Sequence, residues 1–404
     1  MVRHPPRGAQ GRAEQEQALT PEQARLLLSP RGREAVEHAS ALDLSSAARI
    51  RAAEAVRDLG PLGPLALEQA LLRQRARAKH PRGAELWWTP EALEQATSYE
   101  VAASRAGRFD RPVLDLGCSV GGDLLTLPQG STGVDLDEGR LLLARANAEV
   151  LGRRVSLVRA DVRAFPVPRG ADVFADPARR AGGRRTFDPR AYSPPLDLLL
   201  GLPVRALGVK VAPGIDHEAL PPSLEVEVVS LRGEVKEAVL WGGAARRGPR
   251  RTATLLPGGH VLQDKSSPVP RVAPPGEWLL EPDGAVVRAH LVAQVARDVD
   301  GWLLDATIAY VSAGALRPVP WGRWYRVLEV LPFSLKGLRE RLRAHDAGPL
   351  VVKKRGTAVE PEVLRRQLKL TGSREVTVVL TRSAGRQIAL VVEPATGGSG
   401  SAAR

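Results

Sequence analysis

The apolar positions of this 404-residue chain change period along its length. From Thr20 onward they recur at three and four residues, the spacing of an amphipathic helix. Thr20-Pro21-Glu22 reads as an N-cap followed by proline at the first helical position, opening a helix through Leu28. Further helical patterns run over about 31–58 and 64–78. Residues 1–85 are therefore predicted to form a small helical domain, whose simplest role is to buttress the neighbouring domain. Short apolar runs then alternate with helical stretches: Val113–Leu116, Gly130–Val134, Val155–Arg159, Val173–Ala175 and Ala206–Val211. That alternation predicts a parallel sheet with crossover helices. Strands over Leu224–Ser230, Ala238–Trp241 and Thr252–Leu256 complete a domain over 86–266, and the proline-rich run Ser267–Pro275 reads as a linker. A separate α/β domain is predicted over 276–393. It has strands at Trp324–Leu331 and Leu350–Lys353, helices at Ser334–Ala344 and Glu360–Leu370, and a terminal hairpin of Val376–Thr381 and Gln387–Val392. The first 15 or so residues and the tail Ala395–Arg404 have the composition of disordered segments.

Composition narrows the class. Hydrophobic residues make up 43% and charged residues 25%, the balance of a soluble globular protein. No stretch approaches the roughly 18 apolar residues of a membrane helix; the best, Leu196 to Val204, carries Asp197 and Pro203. The N-terminus has no apolar leader segment, so no membrane partner and a cytoplasmic location are expected. A single cysteine, Cys118, excludes an intramolecular disulfide and a multi-cysteine zinc site, and no metal is expected. Lys and Arg number 58 against 45 Asp and Glu, a net charge of +13. Arginine enrichment alone does not explain that excess, because acidic residues were free to rise with it. The surplus points to a polyanionic partner, most often nucleic acid.

The densest chemical signal is Val113-Leu-Asp-Leu-Gly-Cys-Ser-Val-Gly-Gly-Asp123. An apolar strand runs straight into a turn with Gly117, Gly121 and Gly122, where the backbone must turn sharply and let a ligand approach. Eighteen residues after Gly117 the next strand ends in Asp135, placed to accept hydrogen bonds from ribose hydroxyls. A third strand ends at Asp161-Val162 and a fourth at Asp176. This series resembles the class I S-adenosylmethionine-dependent methyltransferases over about 100–265. The resemblance implies a Rossmann-like sheet and S-adenosylmethionine as cofactor. The implied cofactor-binding residues are Asp115, Gly117, Cys118, Gly121, Gly122, Asp135, Asp161 and Val162, with Asp161 meeting the adenine amine. A nicotinamide site would want G-x-G-x-x-G, which this loop lacks.

Asp176-Pro177-Ala178-Arg179-Arg180 stands where amino-methyltransferases carry (Asn/Asp/Ser)-Pro-Pro-aromatic. The family pattern implies that Asp176 and the Pro177 turn hold a target amine in line with the methyl group. Positioning then supplies most of the rate, and Asp176 can take the released proton. No aromatic comes after Pro177; Arg179 stands there instead, able to stack on a base or hold a phosphate. Asp176 as a plain turn cap is the alternative. Arg179, Arg180, Arg184, Arg185 and Arg190, against Asp176 and Asp188, read as a phosphate clamp. Cys118 lies in the glycine loop, where it would contact cofactor; this argues against cysteine-dependent methylation of pyrimidine carbon 5.

Upstream, Leu86-Trp-Trp-Thr-Pro-Glu-Ala-Leu-Glu-Gln-Ala-Thr97 resembles the segment before the cofactor loop of cap-guanine N2 methyltransferases. Ala144-Arg-Ala-Asn-Ala-Glu-Val-Leu-Gly152 resembles a helix of RNA guanine-N2 enzymes. Trp87 and Trp88 are candidates to flank cofactor or stack on a base, with a core role as the alternative. Lys210 comes after the fifth strand. With Asp176 and Glu234 it resembles three of the Lys-Asp-Lys-Glu set of ribose 2′-O-methyltransferases, for which Lys79 is the fourth candidate.

Towards the C-terminus, Glu281–His290, Tyr325–Phe333 and Val351–Gly356 resemble the THUMP-like domain fused to a class I methyltransferase in a bacterial family, a likeness covering roughly 80–393. THUMP domains proper bind tRNA acceptor ends, so the resemblance implies an RNA partner. Between Leu335 and Leu370 lie ten Lys/Arg and four Asp/Glu. Lys353, Lys354 and Arg355 at a strand end, and Arg365, Arg366 and Lys369 on one helix, suit a phosphate backbone; a solvated charged face is the alternative. The expectation is a methyltransferase acting on an exocyclic amine of guanine or adenine in tRNA or rRNA. Open alternatives are a ribose 2′-O enzyme, a protein or small-molecule methyltransferase, and a non-catalytic RNA-binding protein.

Overall fold

The computed structural model describes residues 19–395 apart from 179, 182, 183, 186–190 and 267. The N-terminal helix spans Pro21–Leu28 and begins with a capping box. Thr20 Oγ1 accepts from the Gln23 amide at 3.2 Å, and Gln23 Oε1 accepts from the Thr20 amide at 2.9 Å. Ser29 ends this helix and caps the next, Pro30–Ser40, accepting from the Gly32 amide at 3.1 Å. The helical pattern expected over 31–58 breaks after Ser40, because Asp43 Oδ1 accepts from the Ser45 amide at 2.9 Å and turns the chain. A short helix, Arg49–Ala55, comes next, and then Leu62–Ala76. Among the described residues no helix is long and apolar enough to cross a membrane.

The chain forms two compact units, not the three regions expected. The first is built of residues up to Ile215 together with Val239–Arg247; the second holds Asp216–Ala238 and the chain from Gly248 onward. The boundary expected at 85/86 vanishes for a packing reason. Ala24, Val36, Leu62 and Leu72 of the helices share one buried cluster with Trp87, Trp88, Val120 and Leu143. The helices pack on one another and on the segment after residue 85, so one core runs continuously across that position. The boundary expected at 266–276 falls inside the second unit.

The strands of the first unit are β1 (Leu114–Leu116), β2 (Thr132–Asp135), β3 (Ser156–Arg159), β4 (Asp172–Ala175), a two-residue ribbon of β5 (Arg180–Ala181) and β6 (Arg184–Arg185), and β7 (Ala206–Val211). Their ladder is parallel in the order β7-β4-β1-β2-β3. The order reverses between β1 and β4, so the loops leaving their carboxyl ends diverge and open a crevice. β4 and β7 are buried along their whole length, as a sheet covered on both faces requires.

In the second unit, β8 (Glu225–Leu231) precedes β9 (Glu234–Gly243), which begins here and ends in the first unit. β10 (Arg251–Leu256) runs parallel to β8, and β11 (His260–Gln263) pairs antiparallel with β10. A second sheet contains β12 (Trp278–Pro282), β13 (Trp302–Leu303), β14 (Val311–Ala313), β15 (Gly322–Pro332), β16 (Ala347–Lys354), β17 (Arg374–Ser383) and β18 (Arg386–Pro394). Its order is β13-β14-β12-β15-β18-β17-β16. Helices Leu335–Ala344 and Pro361–Leu368 contribute Leu338, Leu342, Leu364 and Leu368 to one core with Val378, Leu380, Ala389 and Val391 of β17 and β18.

Candidate functional site

A cavity of about 880 Å³ lies in the first unit, where β1, β2 and β4 end. Its floor is the turn after β1. Gly117 and Gly121 hold φ of +90° and +91°, a region that strains a side-chain-bearing residue. Asp135, at the end of β2, fixes this turn: Oδ2 accepts from the Ser119 amide at 2.8 Å and Oδ1 from the Asp137 amide at 2.9 Å. Each oxygen keeps a further lone pair. Gly122, Asp161 and Val162 also line the cavity. Cys118 departs from expectation. The residue lines the cavity, and its side chain packs with Leu124 and Leu141 in space left by Gly133; a Cβ there would meet Sγ at 2.7 Å. Burial, with the Asp115 and Asp135 carboxylates, pushes the thiol well above its ordinary pKa and disfavours the thiolate.

The wall is acidic. Asp115 is fully buried, and Oδ2 has no hydrogen-bond partner among the described residues. Burial and then the Asp123 carboxylate push its pKa well up; Asp176 and Asp135 add to this and Arg105 opposes it. Six acidic residues, Glu94, Asp115, Asp123, Asp135, Asp161 and Asp176, line the cavity against Arg140, Arg163 and Lys210, and that surplus favours a cationic occupant. Asp161 is gripped by Arg163, with Nη2 to Oδ2 at 2.6 Å and Nε to the two oxygens at 3.0 and 3.1 Å. These bonds hold its carboxyl down at about 2. No motif marks Arg163; its signal in the sequence is the two-residue spacing from Asp161 across a tight turn. The donor set fits S-adenosylmethionine: an orphaned buried carboxylate for a cationic group, a strained glycine turn for close approach, and an acidic β2 end for a ribose. When bound, that cofactor supplies an electrophilic methyl carbon on a sulfonium.

Asp176 comes directly after β4 at the cavity, beside Pro177 and Ala178. Lys210 lies on β7, the neighbouring strand, and its side chain is 7% exposed. Its Nζ donates to Asp176 Oδ2 at 2.7 Å and to Thr97 Oγ1 at 2.8 Å. Thr97 is a residue that sequence reasoning misses, although it closes the Trp-Thr-Pro stretch. Arg179 and Arg190 lie outside the described residues, as do the side chains of Arg180, Arg184 and Arg185, and Asp188. Lys79 Nζ donates to the Ala96 carbonyl at 2.8 Å. Glu234 belongs to the second unit, where its carboxylate takes Lys236 Nζ at 2.5 Å. Among the described residues no group of three potential metal ligands occurs.

The adjacent tryptophans divide. Trp88 lines the cavity and donates Nε1 to the Gly83 carbonyl at 3.2 Å. Trp87 is 1% exposed, with the Arg73 guanidinium 4.5 Å from its ring centroid. It is packed in the core, the alternative left open for it. Asn147, on the helix Glu138–Leu151, explains the fixed place of this segment. Its Oδ1 accepts from the Trp87 amide at 2.7 Å, and its Nδ2 donates to the carbonyls of Trp87 at 3.0 Å and Val120 at 2.9 Å.

In the second unit the expected phosphate-binding run is internally engaged. Lys353 Nζ meets Glu281 Oε2 at 2.6 Å and sits 5.4 Å from the Tyr325 ring centroid. Burial alone would lower its pKa, but Glu281 holds it above the ordinary value. Lys354 pairs with Glu360 at 2.7 Å, and Arg355 donates to the Ala309 carbonyl at 2.7 Å. These three cations are engaged by groups of their own unit: Glu281 of β12, Glu360 ahead of the helix Pro361–Leu368, and the Ala309 carbonyl. Lys336, Arg343, Arg366 and Lys369 are exposed on or beside the two helices over that sheet.

Comparison with known proteins adds three findings. The family described as THUMP domain-like matches residues 322–394. S-adenosylmethionine-dependent methyltransferases of Mycobacterium tuberculosis, strains CDC 1551 / Oshkosh and H37Rv, are each 43% identical over 338 residues, covering 80% of this chain and 94% of theirs. A solved Porphyromonas gingivalis W83 protein, a methyltransferase candidate by its description, superposes with a TM-score of 0.67 at 22% identity. It covers 96% of this chain and 97% of its own, a likeness of fold.

Proposed function

This chain belongs to the S-adenosylmethionine-dependent methyltransferase family of its mycobacterial relatives, and we propose that its acceptor is a base nitrogen, an exocyclic amine of guanine or adenine, in structured tRNA or rRNA. The observation that carries the reading is the state of Asp176. Lys210 fixes its Oδ2, and Thr97 fixes Lys210, so the carboxylate is held in one orientation with Oδ1 left to accept a hydrogen bond from a substrate amine. Asp176 aligns the acceptor nitrogen. S-adenosylmethionine, when bound, would supply the methyl carbon to that nitrogen and keep the electron pair of the broken bond on its sulfur. The proton leaves the nitrogen for Asp176 Oδ1 or for water. Asp115, Asp135, Asp161 and the Gly117–Gly122 turn are assigned to the cofactor, and Trp88 to the cavity wall.

RNA as substrate class is supported by the net charge of +13, the THUMP-like segment and the four exposed cations Lys336, Arg343, Arg366 and Lys369. The test uses labelled cofactor and bulk RNA from a strain lacking the gene, with nucleoside analysis of the product. A labelled N-methylpurine is expected, and Asp176→Ala should abolish it while leaving RNA affinity intact. Label confined to protein or small molecules would sink the RNA reading.

One observation favours a second reading. The Lys210–Asp176 pair at 2.7 Å is half of the Lys-Asp-Lys-Glu set of ribose 2′-O-methyltransferases. Lys79 and Glu234 have other partners, so the set is not assembled from the four candidates. A labelled 2′-O-methyl nucleoside, lost in Lys210→Met, would establish it.

A further inference from the structure

No motif marks Arg105, yet it is a deeply buried cation paired with a carboxylate that lines this cavity. It lies in the last turn of the helix Tyr99–Ala106, and its side chain is 3% exposed. The guanidinium pairs with the Asp123 carboxylate, which lines the cavity two residues past Gly121. Its carbon sits 4.4 Å from the centroid of Phe174, on β4 two residues before Asp176. One planar cation thus joins the end of the glycine turn to the strand that delivers Asp176. Desolvating a guanidinium is costly and is offset only by close pairing. A flat, delocalised guanidinium lays its face on a ring while its N–H edge pairs with a carboxylate. The same charge opposes the crowding of carboxylates around Asp115.

We infer that Arg105 is a positioning residue for cofactor binding: it ties the Gly117–Asp123 turn to β4 and so holds the floor and the wall of the cavity at a fixed spacing. The inference rests on the reading of this cavity as the cofactor site. It requires that Arg105 act through Asp123, touching no ligand itself.

The test is calorimetric binding of S-adenosylmethionine and S-adenosylhomocysteine to the full chain, with no RNA present. The variants are Arg105→Met, Arg105→Lys, Asp123→Asn, the Arg105→Met/Asp123→Asn pair and Asp135→Ala. Arg105→Met should weaken both ligands by about tenfold or more, the scale of coupling between contacting residues. Arg105→Lys should recover part of the loss. The double variant should lose much less than the product of the two singles. If Arg105→Met changes neither dissociation constant while Asp135→Ala weakens both, the inference fails and the site reading stands. If Asp135→Ala also changes nothing, the site reading itself fails. A fall in thermal stability of the ligand-free protein with unchanged affinity would reduce Arg105 to a stabilising residue and overturn the proposal. Should Arg105→Met not fold, Arg105→Lys and Asp123→Asn decide: unchanged affinity in both refutes it.

Discussion

Asn147→Ala should cost the first unit more than any other single polar truncation near the cavity. Asn147 is 1% exposed and makes three hydrogen bonds, at 2.7, 3.0 and 2.9 Å, all to main-chain groups. Truncation strands one amide and two carbonyls in the interior, at about 1–3 kcal/mol each. Simple addition gives about 3–9 kcal/mol, but the vacated space admits a water, so about 3–5 kcal/mol is expected. For a unit of this size that lowers the melting temperature by about 6–20 °C. Differential scanning calorimetry on the full chain reads the loss as a shift of one transition. Because Val120 lies between Ser119 and Gly121, cofactor affinity should fall as well. Asn147→Asp sharpens the test. It keeps the acceptor for the Trp87 amide but faces a carboxylate oxygen against two carbonyls, so it should be worse than alanine. A loss below about 1 kcal/mol for Ala, or an Asp variant as stable as wild type, would refute the claim that these bonds fix the segment.

The same geometry fixes other outcomes. Asp115 keeps a proton on folding that the unfolded chain releases above its ordinary pKa of 3.8; the ligand-free protein should therefore lose stability as pH rises through the window above 3.8, and Asp115→Asn should flatten that slope in denaturant titrations at several pH values. Cofactor binding should then release protons in wild type and fewer in Asp115→Asn, measured by calorimetry in buffers of different ionisation enthalpy. Trp87→Ala should destabilise by about 3–5 kcal/mol in urea unfolding while leaving RNA affinity of the folded fraction unchanged. Lys353→Met should cost about 1–3 kcal/mol by leaving Glu281 only the Tyr325 hydroxyl at 3.4 Å, with no change in the salt slope of RNA binding. Gln at Lys336, Arg343, Arg366 and Lys369 together should flatten that slope in filter-binding titrations, with stability kept.

The glycine turn and the strand-end acids are legible in the sequence because their chemistry needs particular residue types contiguous in the chain. Gly117, Gly121 and Asp135 do what such residues must when a backbone turns under a ligand. The parallel ladder is legible too, since buried strands read as short apolar runs. What stays hidden depends on neighbours distant along the chain. Thr97, Lys210 and Asp176 meet only because β4 and β7 pair. Trp87 and Trp88 are adjacent, chemically alike and buried in one core cluster, yet of the two only Trp88 also borders the cavity. The run Lys353–Arg355 looks like a phosphate site in any charge count, because a count cannot see Glu281 or the Ala309 carbonyl. The 85/86 boundary fails for a related reason: helical periodicity reveals an apolar face but not which segment covers it.

The first unit is discontinuous in sequence. It reclaims Val239–Arg247 after 23 residues, 216–238, have been given to the second. Val239, Trp241 and Ala245 supply core beside Phe109 and Phe174, and Trp241 is fully buried. On the ribosome, the first unit therefore waits for its last core residues while residues 216–247 are made, about 2–6 s at ordinary elongation rates. A fragment ending at Ile215 leaves Phe109 and Phe174 facing water where Trp241 belongs. Neither unit is therefore one contiguous stretch of sequence, and a cut at any single position cannot separate them without taking residues from one or the other.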